Sequence, residues 1–322
     1  MRVLKADSFR FVRLRFRVRF ESPFHPPHYL GSTLRGGFGR SLREIVCLDP
    51  AQSCSSCLVK GRCPYLYIFE TPRPEGITPS YSLSQCPHPF VIEPPLDMPP
   101  EYRPGDEMTF DLLLIGRAIG HLSLVIAAYE LLGGMGLGRE RARYRLEEVI
   151  SPSNGELIYV PGSKPSIPTA MTLADLMEEA GKTDDDRRLT LLFLTPTRIR
   201  YRGRLISELS FQVFMRNLLR RILILSELHC DERLELDPLA ALREAERART
   251  ICSELNWRDW QRFSFRQRSK MKLGGFVGKV SFEGVSGSLF PLIKLGEYVH
   301  IGKGTSFGLG KYKILGGERG DG

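Results

Sequence analysis

The chain contains no run of about 18 apolar residues, the length a helix needs to cross a bilayer. Its nearest approach, Leu122 to Leu132, is broken by Ser123, Tyr129 and Glu130, so no membrane span is expected. The first residues, Met-Arg-Val-Leu-Lys-Ala-Asp, hold no apolar leader core. A cytoplasmic location is therefore the default expectation. Seven cysteines are present, and an odd count without a leader argues against a disulfide framework. Compositional bias is also missing: 42% hydrophobic and 26% charged residues exclude disorder and collagen-like repeats. What the chain has in surplus is positive charge, 46 Lys and Arg against 37 Asp and Glu. That surplus favours a polyanionic partner. Its 322 residues correspond to about two domains.

Residues 9 to 20 alternate strictly. Val12, Leu14, Phe16, Val18 and Phe20 fall on one face, and Arg13, Arg15, Arg17 and Arg19 on the other. This spacing predicts a half-buried strand whose open face is a row of guanidiniums. After a proline turn, Tyr29 to Val46 has helical spacing through Leu30, Leu34, Phe38, Leu42 and Ile45. Gly31, Gly36, Gly37 and Gly39 lie within it. Each internal glycine costs about 1 kcal/mol relative to alanine, so several together imply a close approach to this helix. Residues 71 to 104 hold ten of the 22 prolines and read as an extended excursion with a short strand at 90–92. Strand, helix and strand patterns follow at 108–115, 119–132 and 143–150. A connector at 151–187 carries a short strand at 156–160, a short helix at 172–180 and the acidic run Asp184-Asp185-Asp186.

The second half repeats this order. An apolar strand at 189–194 continues into the alternating Arg198, Arg200, Arg202 and Arg204. Helices are expected at 211–228, 238–255 and 289–299, and strands at 260–272, 276–283 and 311–315. Gly136-Leu137-Gly138-Arg139 follows an apolar helix and precedes a strand, as does Gly308-Leu309-Gly310-Lys311. Two copies of a βαββαβ unit account for this. The expected fold class is α+β: two tandem ferredoxin-like (RRM-like) domains with a small cysteine-rich insert. The expected boundaries are 1–150, with the insert at 47–63 and the excursion at 71–104, then the connector at 151–187. The second domain is expected at 188–316, and a tail at 317–322.

The segment Gly302-Lys303-Gly304-Thr305-Ser306-Phe307-Gly308-Leu309-Gly310-Lys311 is glycine-rich and basic. Glycines let backbone N–H groups approach a phosphate with no Cβ in the way. The segment precedes a strand, which excludes a dinucleotide-binding loop. Between the last helix and last strand of a ferredoxin-like domain, it resembles the glycine-rich loop of the RAMP superfamily, the RNA-binding proteins of CRISPR systems. Gly274-Gly275-Phe276-Val277-Gly278-Lys279-Val280 and the helix Tyr29-Leu30-Gly31-Ser32-Thr33-Leu34-Arg35-Gly36-Gly37-Phe38-Gly39-Arg40 resemble one branch of it. That branch is the sixth Cas family, the endoribonucleases that process precursor CRISPR RNA.

The resemblance implies two ferredoxin-like domains and binding of a CRISPR repeat, often a hairpin. It implies one cut per repeat without metal. The ribose 2′-OH attacks the adjacent phosphate, leaving a 2′,3′-cyclic phosphate and a 5′-OH. Such a reaction needs a base, an acid and cations. Of the six histidines, His28 leads as catalytic candidate, with His25 and His300 beside it, although the first helix itself has none. RNA binding is expected from Arg13, Arg15, Arg17, Arg19, Arg35, Arg40, Arg198, Arg200 and Lys279. In the loop it is expected from Gly302, Lys303, Gly304, Thr305, Ser306, Gly308, Gly310 and Lys311. No cofactor is expected for catalysis.

Cys47, Cys54, Cys57 and Cys63 are spaced x6, x2 and x5. Four thiolates with one CxxC pair meet the ligand count of a structural zinc site, or less readily of an iron–sulfur cluster. Two other functional readings stand beside the nuclease: a non-catalytic RAMP subunit holding guide RNA in an effector complex, and an iron–sulfur or redox protein. The expected partners are RNA and CRISPR effector subunits, the expected state a monomer or homodimer.

Overall fold

The computed structural model describes residues 3–49, 51–73, 86–180, 187–259, 261–264, 269–272 and 274–315. The chain divides into two units, Arg10–Met171 and Met1–Phe9 with Thr172–Gly322. Both are mixed α/β with antiparallel sheets. The acidic run at 184–186 and the tail at 317–322 lie outside the described residues.

In the first unit the alternating segment forms β1 (Arg10–Phe20). It is followed by α1 (Gly31–Val46), β2 (Phe90–Glu93), β3 (Glu107–Ile115), α2 (Leu122–Met135), β4 (Tyr144–Ile150) and β5 (Leu157–Tyr159). The sheet order is β2-β3-β1-β4-β5. Val12, Leu14, Phe16, Val18 and Phe20 are buried, as their alternation requires, against α1 and α2. Phe16 stacks on Phe110 at 5.0 Å, and Phe38 of α1 stacks on Tyr129 of α2 at 5.1 Å. Each such fully buried aromatic contributes about 1.5–3 kcal/mol of burial. Two glycines of α1 answer to the chain's own side chains, while a Cβ on Gly36 would meet nothing within 4 Å. A Cβ on Gly37 would lie 2.6 Å from Leu132, and one on Gly39 2.1 Å from the Phe69 ring.

The stretch Gly116–Met135 is long and apolar enough, by length and composition, to cross a bilayer. Leu122, Val125, Ile126, Ala128, Tyr129 and Leu132 within it are buried in the core of this unit. It serves as the unit's central helix.

A two-residue strand, β6 (Met171–Thr172), leads into α3 (Leu173–Ala180). The second unit then runs β7 (Arg187–Thr197), α4 (Phe211–His229), α5 (Pro238–Ala245), β10 (Arg249–Arg258), β13 (Gly275–Val285), α6 (Phe290–Val299) and β14 (Tyr312–Leu315). Between β7 and α4 lies the ribbon of β8 (Arg200–Tyr201) and β9 (Arg204–Leu205); between β10 and β13 lies the hairpin of β11 (Gln261–Ser264) and β12 (Ser269–Lys272). The main sheet is ordered β10-β13-β7-β14. Each unit's first four-strand motif therefore has the order second, third, first, fourth. The Ser210 hydroxyl caps α4 by accepting from the Val213 N–H. Tyr312 closes the core by donating its hydroxyl to the Ile293 carbonyl of α6 at 2.6 Å.

Three sequence expectations are corrected. The helix expected over 238–255 ends at Ala245, and 249–258 is a strand. Nine register pairs between β10 and β13 fix this segment as a strand. The single strand expected over 260–272 is a hairpin. The arginine row 198–204 is not a continuation of β7. It folds back at Arg202 and Gly203, whose φ angles are +49° and +80°, the positive pair that a two-residue hairpin turn demands.

Candidate active site and nucleic-acid interface

The β1 arginines form a charge ladder with their neighbours. Arg15 grips Asp111 in a bidentate pair at 2.8 and 3.0 Å, and Arg13 reaches the same carboxylate at 2.8 Å and also Glu93. Arg17 pairs with Glu148 at 2.8 Å, and Arg19 with Glu107 and Glu147. Four guanidiniums thus face five carboxylates. The Asp111 and Glu93 side chains are only 8% and 6% exposed, so these arginines compensate buried charge. Little of the row's charge is left to attract phosphate.

Arg35, one turn into α1, is held differently. Its Nη2 lies 3.0 Å from His88 Nε2, and its guanidinium sits 4.3 Å from the Phe69 ring centroid. His88 Nδ1 is 2.9 Å from the Thr71 hydroxyl. An arginine can only donate, so Nε2 is the acceptor and Nδ1 carries the proton. His88, which the sequence places in the proline excursion, thereby orients Arg35. Arg40 is exposed on the same helix.

His25 and His28 lie on the turn between β1 and α1, and both are exposed. His25 sits where three segments meet. On one side Phe24 and Tyr102 exchange backbone hydrogen bonds at 2.9 and 2.8 Å. On the other, Gly138 packs on Phe24, and Glu140 accepts from the His25 backbone N–H at 3.2 Å. The ring atom Nδ1 is also 3.2 Å from Glu140 Oε2, while Nε2 is 3.9 Å from Glu101 Oε1. These bonds from His25, the backbone one first, hold the Glu140 carboxyl below its ordinary range.

The second unit presents the glycine loop. Gly302 and Gly310 are required by close approach as well as by positive φ. A Cβ on Gly302 would lie 2.5 Å from the Arg198 carbonyl oxygen, and one on Gly310 1.8 Å from that of Ile301. Thr195 Oγ1 donates to Gly308 O and accepts from Lys311 N–H, both at 2.9 Å. The N–H groups of Gly302, Gly304, Thr305 and Ser306 have no carbonyl partner among the described residues. Beside them Lys303 is exposed, and its N–H donates to Arg198 O at 3.0 Å. Desolvation first, then repulsion from Arg200, Arg198 and Arg220, lowers the Lys303 pKa. This is an accumulation of positive charge with no carboxylate on Arg200, Arg202 or Lys303 among the described residues. Arg220 joins it from α4, a role that no sequence signal marks. Lys279 is exposed on β13.

His300 is fully buried, its Nδ1 3.2 Å from the Leu309 carbonyl oxygen. Its backbone, φ 60° and ψ 176°, lies in a region almost reserved for glycine. It fastens one end of the loop to the other, and its ring meets no solvent through which a phosphate could arrive. This position removes it from the catalytic candidates.

Cys47, Cys54, Cys57 and Cys63 are half-buried free thiols. A hydrogen bond to Cys47 is the leading cause of the raised Arg43 pKa, and Cys54 and Cys63 pack on the core of the first unit. Among the described residues no three His, Cys, Asp or Glu gather closely enough to hold a metal ion. The expectation of a four-thiolate site therefore rests on spacing alone.

Comparison with known proteins follows the same division. A family model described as an N-terminal domain matches residues 9–171, and one described as CRISPR-associated endoribonuclease Cas6 matches residues 191–312. An uncharacterized protein of Archaeoglobus fulgidus is 25% identical over 318 residues, 95% of this chain and 98% of that one. Thermus thermophilus Cas6 superposes with a TM-score of 0.56 at 16% identity, covering 95% of this chain and 99% of that one. A partial Cas6-RT-Cas1–Cas2 complex gives 0.62 at 15% identity over 97% of this chain, which spans 47% of that longer chain. At these identities the structural likeness establishes a Cas6-like fold. The Cas6 model covers residues 191–312, so that stretch is similar to the CRISPR-associated endoribonucleases, and the chain as a whole has a Cas6-like fold.

Proposed function

We propose that this protein is an endoribonuclease that cuts precursor CRISPR RNA within its repeats, by 2′-OH attack and without a metal ion. One observation carries the reading. The stretch matched by the endoribonuclease model contains a loop in which the N–H groups of Gly302, Gly304, Thr305 and Ser306, without carbonyl partners among the described residues, stand beside Lys303, Arg198, Arg200 and Arg220. That combination suits a phosphate backbone. The identical strand order of the two sheets supports reading both units as ferredoxin-like.

In this reading the loop and its arginines bind RNA phosphates, and the exposed His25 and His28 supply acid–base catalysis. The base takes the 2′-OH proton, the 2′-oxygen bonds to phosphorus, and the P–O5′ bond breaks. The acid protonates the departing 5′-oxygen. Arg35, held by His88, is an oriented cation on α1 and suits the phosphorane charge.

The test is incubation of the purified protein with repeat RNA in EDTA. A single cut ending in a cyclic phosphate is expected. A 2′-deoxy substitution at the scissile nucleotide should abolish cleavage and leave binding intact. Binding without cleavage in any buffer would instead favour a guide-holding subunit, a reading that the absence of histidine from α1 keeps in play.

A further inference from the structure

We infer that Glu140 is the positioning residue of His25: it fixes the imidazole in its Nδ1–H tautomer and leaves Nε2 as the atom that meets the RNA. This rests on the reading of His25 as a catalytic histidine and goes beyond it by naming the reactive nitrogen and what selects it.

The argument starts from the turn that carries Glu140. Three residues between Gly136 and Arg141 have positive φ: Gly136 at +86°, Gly138 at +73° and Arg141 at +51°. Leu137 and Ala142 exchange backbone hydrogen bonds at 2.8 and 3.0 Å, closing the turn. A Cβ on Gly136 would lie 2.3 Å from the Arg141 carbonyl oxygen. The turn is therefore a closed loop, and Glu140 projects from it at a set position. One carboxylate oxygen, Oε2, accepts from both the backbone N–H and the ring Nδ1 of His25. The backbone bond anchors the carboxylate, so the ring bond has a fixed direction.

A carboxylate is an acceptor only, so Nδ1 must carry the proton when the ring is neutral. Nε2 then keeps its lone pair. It is 3.9 Å from Glu101 Oε1, too far for a hydrogen bond, and the His25 side chain is 59% exposed. Glu101 is itself 3.6 Å from Arg103. Among the described residues, Glu140 and Glu101 are the charged groups within 4 Å of this ring, and Arg103 pairs with Glu101. When Nε2 takes the 2′-OH proton, the imidazolium formed lies between two carboxylates. Its charge is offset where it arises, as in other carboxylate–histidine pairs.

The experiment uses the full chain with ¹⁵N-labelled histidine. Ring nitrogen shifts by NMR report the tautomer, and single-turnover cleavage of repeat RNA at saturating protein reports the chemistry. Wild type should show His25 as Nδ1–H. Glu140→Ala should move the ring toward Nε2–H and lower the single-turnover rate about 10- to 100-fold, with RNA affinity and melting temperature unchanged. Glu140→Gln keeps an acceptor oxygen and should retain the tautomer while losing part of the rate, because only its charge is gone. A wild-type His25 protonated chiefly on Nε2 overturns the proposal. So does a fully active Glu140→Ala beside an inactive His25→Ala, which leaves the catalytic reading intact. His25→Ala cutting at the wild-type rate instead overturns the underlying assignment of His25, whatever the tautomer.

Discussion

Two arginine rows that look alike in sequence should respond in opposite ways to loss of charge. In β1, Arg13 and Arg15 together hold Asp111 and Glu93, whose side chains are nearly buried. Replacing both with glutamine strands two carboxylates. Breaking a buried pair from one side costs about 3–5 kcal/mol. Arg13 and Arg15 are 31% and 42% exposed, so water reaches the pairs. Screening brings the expected loss down to about 1–3 kcal/mol. The melting temperature should therefore fall by about 3–10 °C. RNA affinity and its salt dependence should barely change. In the second unit, Arg200, Arg202 and Lys303 are exposed and lack carboxylate partners among the described residues. Replacing these three with glutamine should leave the melting temperature unchanged. The slope of log K against log salt should become shallower by about 2, at about 0.7 for each phosphate of a single strand that is no longer neutralised. Fluorescence anisotropy with repeat RNA across a salt series, run beside thermal melts, reads both quantities. An equal loss of slope in the β1 double variant, or an unchanged slope in the triple variant, would refute this division of charge.

Other outcomes follow from the loop. The folded pKa of Lys303 lies below the ordinary lysine value of 10.5, so protonation opposes folding and stability from this group rises as pH climbs through that interval. RNA binding goes the other way, because phosphate favours the charged amine: wild-type affinity should weaken between the depressed pKa and 10.5, whereas Lys303→Arg should hold its affinity, measured by anisotropy in an alkaline series. Gly310→Ala should cost about 2–4 kcal/mol, since its Cβ would meet the Ile301 carbonyl and its φ is positive; a melting temperature equal to wild type rules this account out. His300→Ala should weaken RNA binding and lower the melting temperature, yet cut at the wild-type single-turnover rate once RNA is saturating. A large rate loss under saturation would return His300 to the chemistry.

Much of the fold was legible because burial is periodic. The alternation of residues 9–20 and the spacing of Leu34, Phe38 and Leu42 each correspond to one face of one element. The repeated order of elements was legible too, since the glycine turn after each unit's second long helix recurs in the sequence. The segment 249–258 was not. Only pairing with β13 decides for strand there. The turn at Arg202 and Gly203 was hidden by the regular arginines around it.

The site was less legible, for a related physical reason. Alternation states which way an arginine faces but not what it faces. Arg15 is the direct cross-strand neighbour of Asp111, Arg17 of Glu148 and Arg19 of Glu107. Those registers exist only after β1 has paired on both sides, and they turn a row of positive charge into a neutral ladder. The loop cluster arises in the opposite way. Lys303 is brought to Arg198 by one backbone hydrogen bond between residues far apart in the chain, and Arg200, Arg202 and Lys303 meet no acid there among the described residues. Glu140 gave one sequence signal, a carboxylate two residues after the turn Gly136-Leu137-Gly138 that the second unit repeats with Lys311 nearby. Glu140 stands beside the exposed His25, and Lys303 beside the N–H groups of Gly302, Gly304, Thr305 and Ser306, which have no carbonyl partner among the described residues.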